Sequence, residues 1–124
     1  MRKNRRVIVT AAALIVMLAC SGLAQAAGAL AVGHCGVDGY SYNHATSQAA
    51  EETALQQCGP GCEVVLTIQN ACAAFATDAN KNCGAQGWGK GADRGEAEER
   101  AVRECVNQSG ERCEVKRWVC DGGG

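Results

Sequence analysis

Nine cysteines in 124 residues carry the densest chemistry of this chain. Cys20 lies in an apolar leader. Cys35, Cys58, Cys62, Cys72, Cys83, Cys105, Cys113 and Cys120 are spread over the rest. Thiols at this density can ligate a metal, exchange electrons or cross-link. The Cys58-x-x-x-Cys62 spacing resembles a zinc ligand pair, and His34 adjoins Cys35. Redox sites more often use C-x-x-C with a thiolate held at a helix N-terminus. Here Cys58 and Cys105 close helical stretches, where the dipole disfavours a thiolate. Cross-linking is the reading that fits an exported chain. Hydrolytic material is thin. His34 and His44 are the two histidines, with Ser41, Ser47 and Asp38 nearby, and nothing forms a nucleophile elbow. The glycines around Gly84, Gly87, Gly89 and Gly91 precede no helix as a phosphate loop would, and no cofactor motif is present. Tyr40, Tyr42 and Trp88 form a small aromatic set. Exposed, it would stack on sugars or anchor a protein partner; otherwise it closes the core beneath the helices.

The start of the chain supports export. Arg2, Lys3, Arg5 and Arg6 precede an apolar run from Val7 to Ala19, and Ala24-Gln25-Ala26 gives a small-x-small cleavage site. This is the pattern of a signal peptide over residues 1–26, leaving one cysteine-rich domain over residues 27–124. The run is too short for a spanning helix, which needs about 20 residues, so the mature form has no transmembrane span. Met17-Leu18-Ala19-Cys20 is a looser match to a lipobox, in which Cys20 would be acylated. Either route leaves eight cysteines. Cleavage after Ala26 removes four of the twelve basic residues and none of the thirteen acidic ones, giving a net charge of −5. Such a balance makes nucleic acid a poor partner. The protein is expected outside the cytoplasm, secreted or held at the envelope.

The elements that must position these groups come in two copies. Cys35-Gly36-Val37-Asp38-Gly39-Tyr40 recurs as Cys83-Gly84-Ala85-Gln86-Gly87-Trp88. The run from Ala50 to Cys58 recurs from Ala97 to Cys105, and Cys62-Glu63-Val64 recurs as Cys113-Glu114-Val115. Repeat 1 covers about 28–72 and repeat 2 about 73–120. Each reads as ββαβ. The strands are Ala29–Val32, Gly39–Asn43 and a buried Glu63–Gln69, then Ala73–Thr77, Gly87–Lys90 and Val115–Val119. Thr46 or Ser47 caps the first helix, and Asp93 with Glu96 forms a capping box for the second. Ala50, Ala54 and Cys58, like Ala97, Ala101 and Cys105, make one small-residue stripe, while the glutamates face solvent. Gly59 and Pro60 end the first helix. The expected fold is α+β: two ββαβ repeats, a mostly antiparallel sheet with two helices on one face, stapled by disulfides. Repeat symmetry favours Cys58–Cys62 and Cys105–Cys113. The remaining four either bridge the repeats, as Cys35–Cys83 with Cys72–Cys120, or stay within them, as Cys35–Cys72 with Cys83–Cys120; bridging is slightly favoured.

Several of these runs carry a resemblance. Gly28 to Val32, Ala54-Leu55-Gln56-Gln57-Cys58, Cys62-Glu63-Val64-Val65, Asn70 to Ala76, Gly87-Trp88-Gly89 and Cys113-Glu114-Val115 resemble the bacterial Domain of Unknown Function 4189 family, in its small secreted actinobacterial form. Against that pattern Cys35 and Cys83 look like additions. The resemblance implies an exported cysteine-rich domain and brings no catalytic residues. The expected function is therefore a non-enzymatic binding domain for a protein or envelope partner, either a host protein or an envelope enzyme that it inhibits. A thiol-disulfide or other small enzyme and a structural envelope component are the alternatives.

Overall fold

The computed structural model describes residues 26–122. The leader, with its Cys20 acylation reading, therefore lies outside the described residues up to Gln25, as do Gly123 and Gly124. The chain runs β1 (Ala27–Val32), a short 3-10 turn (His34–Gly36), β2 (Asp38–His44), α1 (Ser47–Cys58), β3 (Glu63–Ile68), β4 (Ala71–Asp78), β5 (Gln86–Gly91), α2 (Arg94–Asn107) and β6 (Cys113–Asp121). It is an α+β fold of two ββαβ units.

Each unit makes its own antiparallel three-stranded sheet, ordered β2-β1-β3 and β5-β4-β6. The single sheet anticipated from the pattern is thus two sheets, and each helix covers one face of its own. The reason lies in β1 and β4. Ala27, Ala29 and Ala31 turn one face of β1 to Ala50, Ala54 and Cys58 of α1. Cys72, Ala74 and Ala76 do the same for Ala97, Ala101 and Cys105 of α2. The alternate residues, Leu30 and Val32 with Ala73 and Phe75, meet between the sheets together with Ile68 and Val119. The layers therefore run helix, sheet, sheet, helix. In the sandwich β2 lies against β6 and β3 against β5, so an approximate two-fold relation exchanges the units.

Small residues set the spacing of helix on sheet. A Cβ at Gly39 would stand 2.2 Å from the Ala54 carbonyl, and one at Gly87 2.2 Å from the Cys105 backbone nitrogen. Only glycine permits that approach. Both helices are capped from within the sequence. Thr46 Oγ1 accepts from the Ala49 N–H at 3.1 Å, and Asp93 Oδ1 from the Glu96 N–H at 2.8 Å. Glu96 returns a bond to the Ala92 N–H. Gly59 ends α1 at φ 100°, its N–H on the Leu55 carbonyl.

Two features depart from the sequence expectation. β3 is an edge strand, and of its residues only Ile68 is fully buried. Its Val64, Val65 and Leu66 are half-covered because one side of the strand has no neighbour. The second concerns the cysteines. Among the described residues four disulfides are present, in the favoured pairing: Cys35–Cys83, Cys58–Cys62, Cys72–Cys120 and Cys105–Cys113; what departs is the place of one of them. Cys72 belongs to β4 and sits directly opposite Cys120 of β6. That bond joins two strands of the second unit and does not bridge the repeats; Cys35–Cys83 alone does. Cys35 and Cys83 occupy equivalent positions, both with left-handed backbone (φ 60° and 62°) and both exposed.

Among the described residues no helix is long and apolar enough to cross a membrane.

Candidate functional site

The two-fold relation gives the sandwich two comparable edges, and the aromatic candidates divide between them. Tyr40 of β2 stands in register with Leu30 and Leu66 across the first sheet. Trp88 of β5 stands in register with Phe75 and Arg117 across the second. Tyr40 and Trp88 are thus counterparts, as are Leu66 and Arg117. Since β2 faces β6, Tyr40 meets Arg117; since β5 faces β3, Trp88 lies over the strand that carries Leu66.

At the β2–β6 edge the polar groups are satisfied internally. The Arg117 guanidinium lies 4.8 Å from the centre of the Tyr40 ring, and its Nε donates to Asp38 Oδ2 at 2.8 Å. Lys116 Nζ lies 3.8 Å from Asp38 Oδ1 and donates to the Gly36 carbonyl. Neighbours on a regular strand point to opposite faces. Here Lys116 and Arg117 reach one carboxylate because a bulge falls between Phe75 and Ala76 of the ladder. The same bulge falls at Val65 in the first unit, between Leu30 and Ala31. The hydrogen bond it donates to Asp38 holds the Arg117 pKa above its ordinary value, with burial opposing. Gly36 N–H also donates to Gln86 Oε1 at 2.7 Å, which ties the first turn to β5.

At the β5–β3 edge the ring stays open. A groove of about 450 Å³ runs over Trp88 and is lined by His34, Gln86, Glu104, Gln108 and the Cys35–Cys83 bridge. A cavity of about 140 Å³ adjoins it, sharing His34, Gln86 and Trp88 and adding Gly61 and Glu63. No lysine or arginine lines either among the described residues. Lys90, the nearest cation on β5, donates to the Thr67 carbonyl at 3.0 Å.

The other candidates are placed as follows. Tyr42 is on β2, 53% exposed, away from Trp88. Trp118 is 42% exposed with the Arg94 guanidinium 4.1 Å over its ring. His34 and His44 stand at opposite ends of β1, beyond Val32 and beside Ala27. The helix glutamates pair along α2, Glu98 with Arg94 at 2.8 Å and Glu99 with Arg103 at 3.7 Å. Among the described residues no three His, Cys, Asp or Glu side chains converge as a ligand set. Three features had no local sequence signal. One is the Asp38–Arg117 pair, 79 residues apart. Another is Asp78, buried, whose carboxylate accepts from the backbone N–H groups of Asn80, Glu111 and Arg112. Those bonds, led by Glu111, lower its pKa. The third is Asp121, 1% exposed, whose Oδ2 accepts from the Asn43 N–H at 3.4 Å while Oδ1 has no partner among the described residues.

The family model "Domain of unknown function (DUF4189)" matches residues 27–120. The chain belongs to that family. Its fold is similar to the NMR structure of Rv1813c from Mycobacterium tuberculosis, at 23% identity and a TM-score of 0.56, over 95% of this chain and 97% of that one. That likeness concerns the fold. No curated protein matches the chain.

Proposed function

We propose that this protein is an exported, non-catalytic domain that binds a protein partner at the cell envelope or on a host, with the groove over Trp88 as the contact surface. The observation that supports this is the contrast between the two edges. Tyr40 carries Arg117 over its ring, whereas its counterpart Trp88 lines a groove that no lysine or arginine borders among the described residues. Large half-exposed aromatic rings in concave settings are where binding energy concentrates. The Cys35–Cys83 bridge is itself part of the groove wall, so little ordering entropy is lost there on association. Tyr42 remains a secondary contact on the far edge. The test is photo-cross-linking from a probe at Gln108 in living cells. A partner adduct that disappears with Trp88→Ala and persists with Val37→Ala supports the reading. The absence of any adduct from this position, with the protein present and oxidised, would overturn it. Secretion and cleavage after Ala26 belong to the same proposal, and mass spectrometry of the mature N-terminus reads both.

A further inference from the structure

The internal two-fold carries the binding reading further, on which this inference rests. Where the first unit presents Tyr40, the chain supplies its own cation, Arg117, over the ring and a counter-ion, Asp38, beside it. The equivalent positions around Trp88 are Leu66 for Arg117 and Gln86 for Asp38, both uncharged. The groove there is bordered by Glu104 and Glu63 and by no cation among the described residues. The other tryptophan, the exposed Trp118, also carries an arginine, Arg94 at 4.1 Å. We infer that the groove over Trp88 receives an arginine side chain from the partner protein, its guanidinium stacked on the indole as Arg117 stacks on Tyr40, with Glu104 and Glu63 supplying the charge that Asp38 supplies in the other unit.

The physical case has three parts. A guanidinium is planar and weakly hydrated, and it stacks on aromatic faces more readily than an ammonium does. A ring that is partly buried beside low-dielectric walls strengthens that attraction relative to a fully exposed one. The first 54 residues of the mature domain, 27–80, contain five acidic residues and no lysine or arginine. At the groove itself Glu63 and Glu104 are the charged lining groups and no lysine or arginine lines it among the described residues, which favours a basic partner segment.

The experiment titrates the oxidised mature protein with an N-acetylated, amidated tri-arginine peptide and follows the Trp88 indole N–H signal by NMR, assigned with Trp88→Phe. Tri-lysine and tri-glycine peptides are the comparisons. The expected result is a saturable shift at Trp88 with tri-arginine, weaker with tri-lysine and absent with tri-glycine. Trp88→Leu should lower the affinity by about tenfold, the size of a partly desolvated cation–aromatic pair. Glu63→Gln with Glu104→Gln should lower it further and flatten its salt dependence. The decisive variant is Leu66→Arg with Gln86→Asp, which copies the residues of the Tyr40 arrangement and offers the Trp88 ring a cation from within the chain. It should keep the parent's amide spectrum elsewhere and lose tri-arginine binding. An unmoved Trp88 signal, equal binding of all three peptides, or unchanged binding by the double variant overturns the inference. So does a Trp88-dependent dimer, which would make a second copy the occupant. A cross-linked partner retained by Trp88→Leu would sink the arginine site yet leave a binding domain standing. Peptide binding without any cellular adduct would do the reverse.

Discussion

The two kinds of bridge in this fold should stabilise it by very different amounts. Cys35–Cys83 joins residues 48 apart, whereas Cys58–Cys62 spans only 4. In the chain-entropy account the stabilisation comes from restricting the unfolded chain and grows with the logarithm of the closed loop. At 25 °C it gives about 4 kcal/mol for 48 residues and about 2 kcal/mol for 4. Two variants isolate the effect. Cys35→Ser with Cys83→Ser removes the long bridge at a site where both residues are exposed, so no cavity forms. Cys58→Ala with Cys62→Ala removes the short one; Cys58 is buried, so Cys62→Ala alone, read beside it, separates any packing loss at Cys58 from the loss of the bridge. The Cys72–Cys120 bridge spans 48 residues as well, but Cys72 is fully buried, and its loss would add a cavity to the entropy. Urea unfolding with linear extrapolation reads both variants. The long-bridge variant should lose about twice as much stability as the short-bridge variant, and the slope m should rise more for it, because its unfolded state expands further. Equal losses would show that the bridges act through native-state contacts and would refute the entropic reasoning.

Other perturbations test the packing and charge. Gly87→Ala would set a Cβ 2.2 Å and 2.5 Å from backbone atoms of α2, and should cost about 1–3 kcal/mol by overpacking. Gly95→Ala, with only Asp93 Oδ1 at 3.5 Å, should be neutral or stabilising in the same urea assay. The Asp78 pKa is lowered in the fold, so its contribution is complete above the unfolded value of about 3.9 and is lost as pH falls through the lower folded one. Asp78→Asn should therefore weaken the protein at neutral pH and flatten its acid limb below about pH 4, read by circular dichroism against pH. Asp38→Ala strands Lys116 and Arg117 and should destabilise more than Asp38→Gln combined with Arg117→Leu, which copies the neutral second unit; a double-mutant cycle measures the difference.

Much of the architecture is written in short-range patterns. Thr46, Asp93 and Glu96 mark the helix starts because capping needs particular side chains at fixed offsets. The alanine stripes mark the covered helix faces because their spacing matches the helical period. What the pattern does not contain is the partner of the second face. β1 is buried along its whole length, which shows that both of its sides are covered, and an apolar run cannot say that the far cover is another sheet. The same limit hid the site. Tyr40 and Trp88 are recognisable as counterparts from the repeat alone. That one ring carries the chain's own cation and the other does not depends on Arg117 and its counterpart Leu66, whose equivalence shows only once two sheets stack and two bulges fall in register. In the order of motifs Cys72 closes the first copy as Cys120 closes the second, but the ladder shows that it lies in β4, opposite Cys120.

The inter-unit bridge links a residue to its own twin, since Cys35 and Cys83 hold the same place in their respective copies. A polypeptide carrying only one copy would expose Leu30, Val32 and Ile68 on the side that β4 now covers. Its simplest remedy would be to meet an identical molecule through that side, with Cys35 oxidised to Cys35. Duplication and fusion of such a covalent homodimer would give this arrangement of units, and its two edges, no longer bound to be identical, could then differ in charge as they do at Arg117 and Leu66.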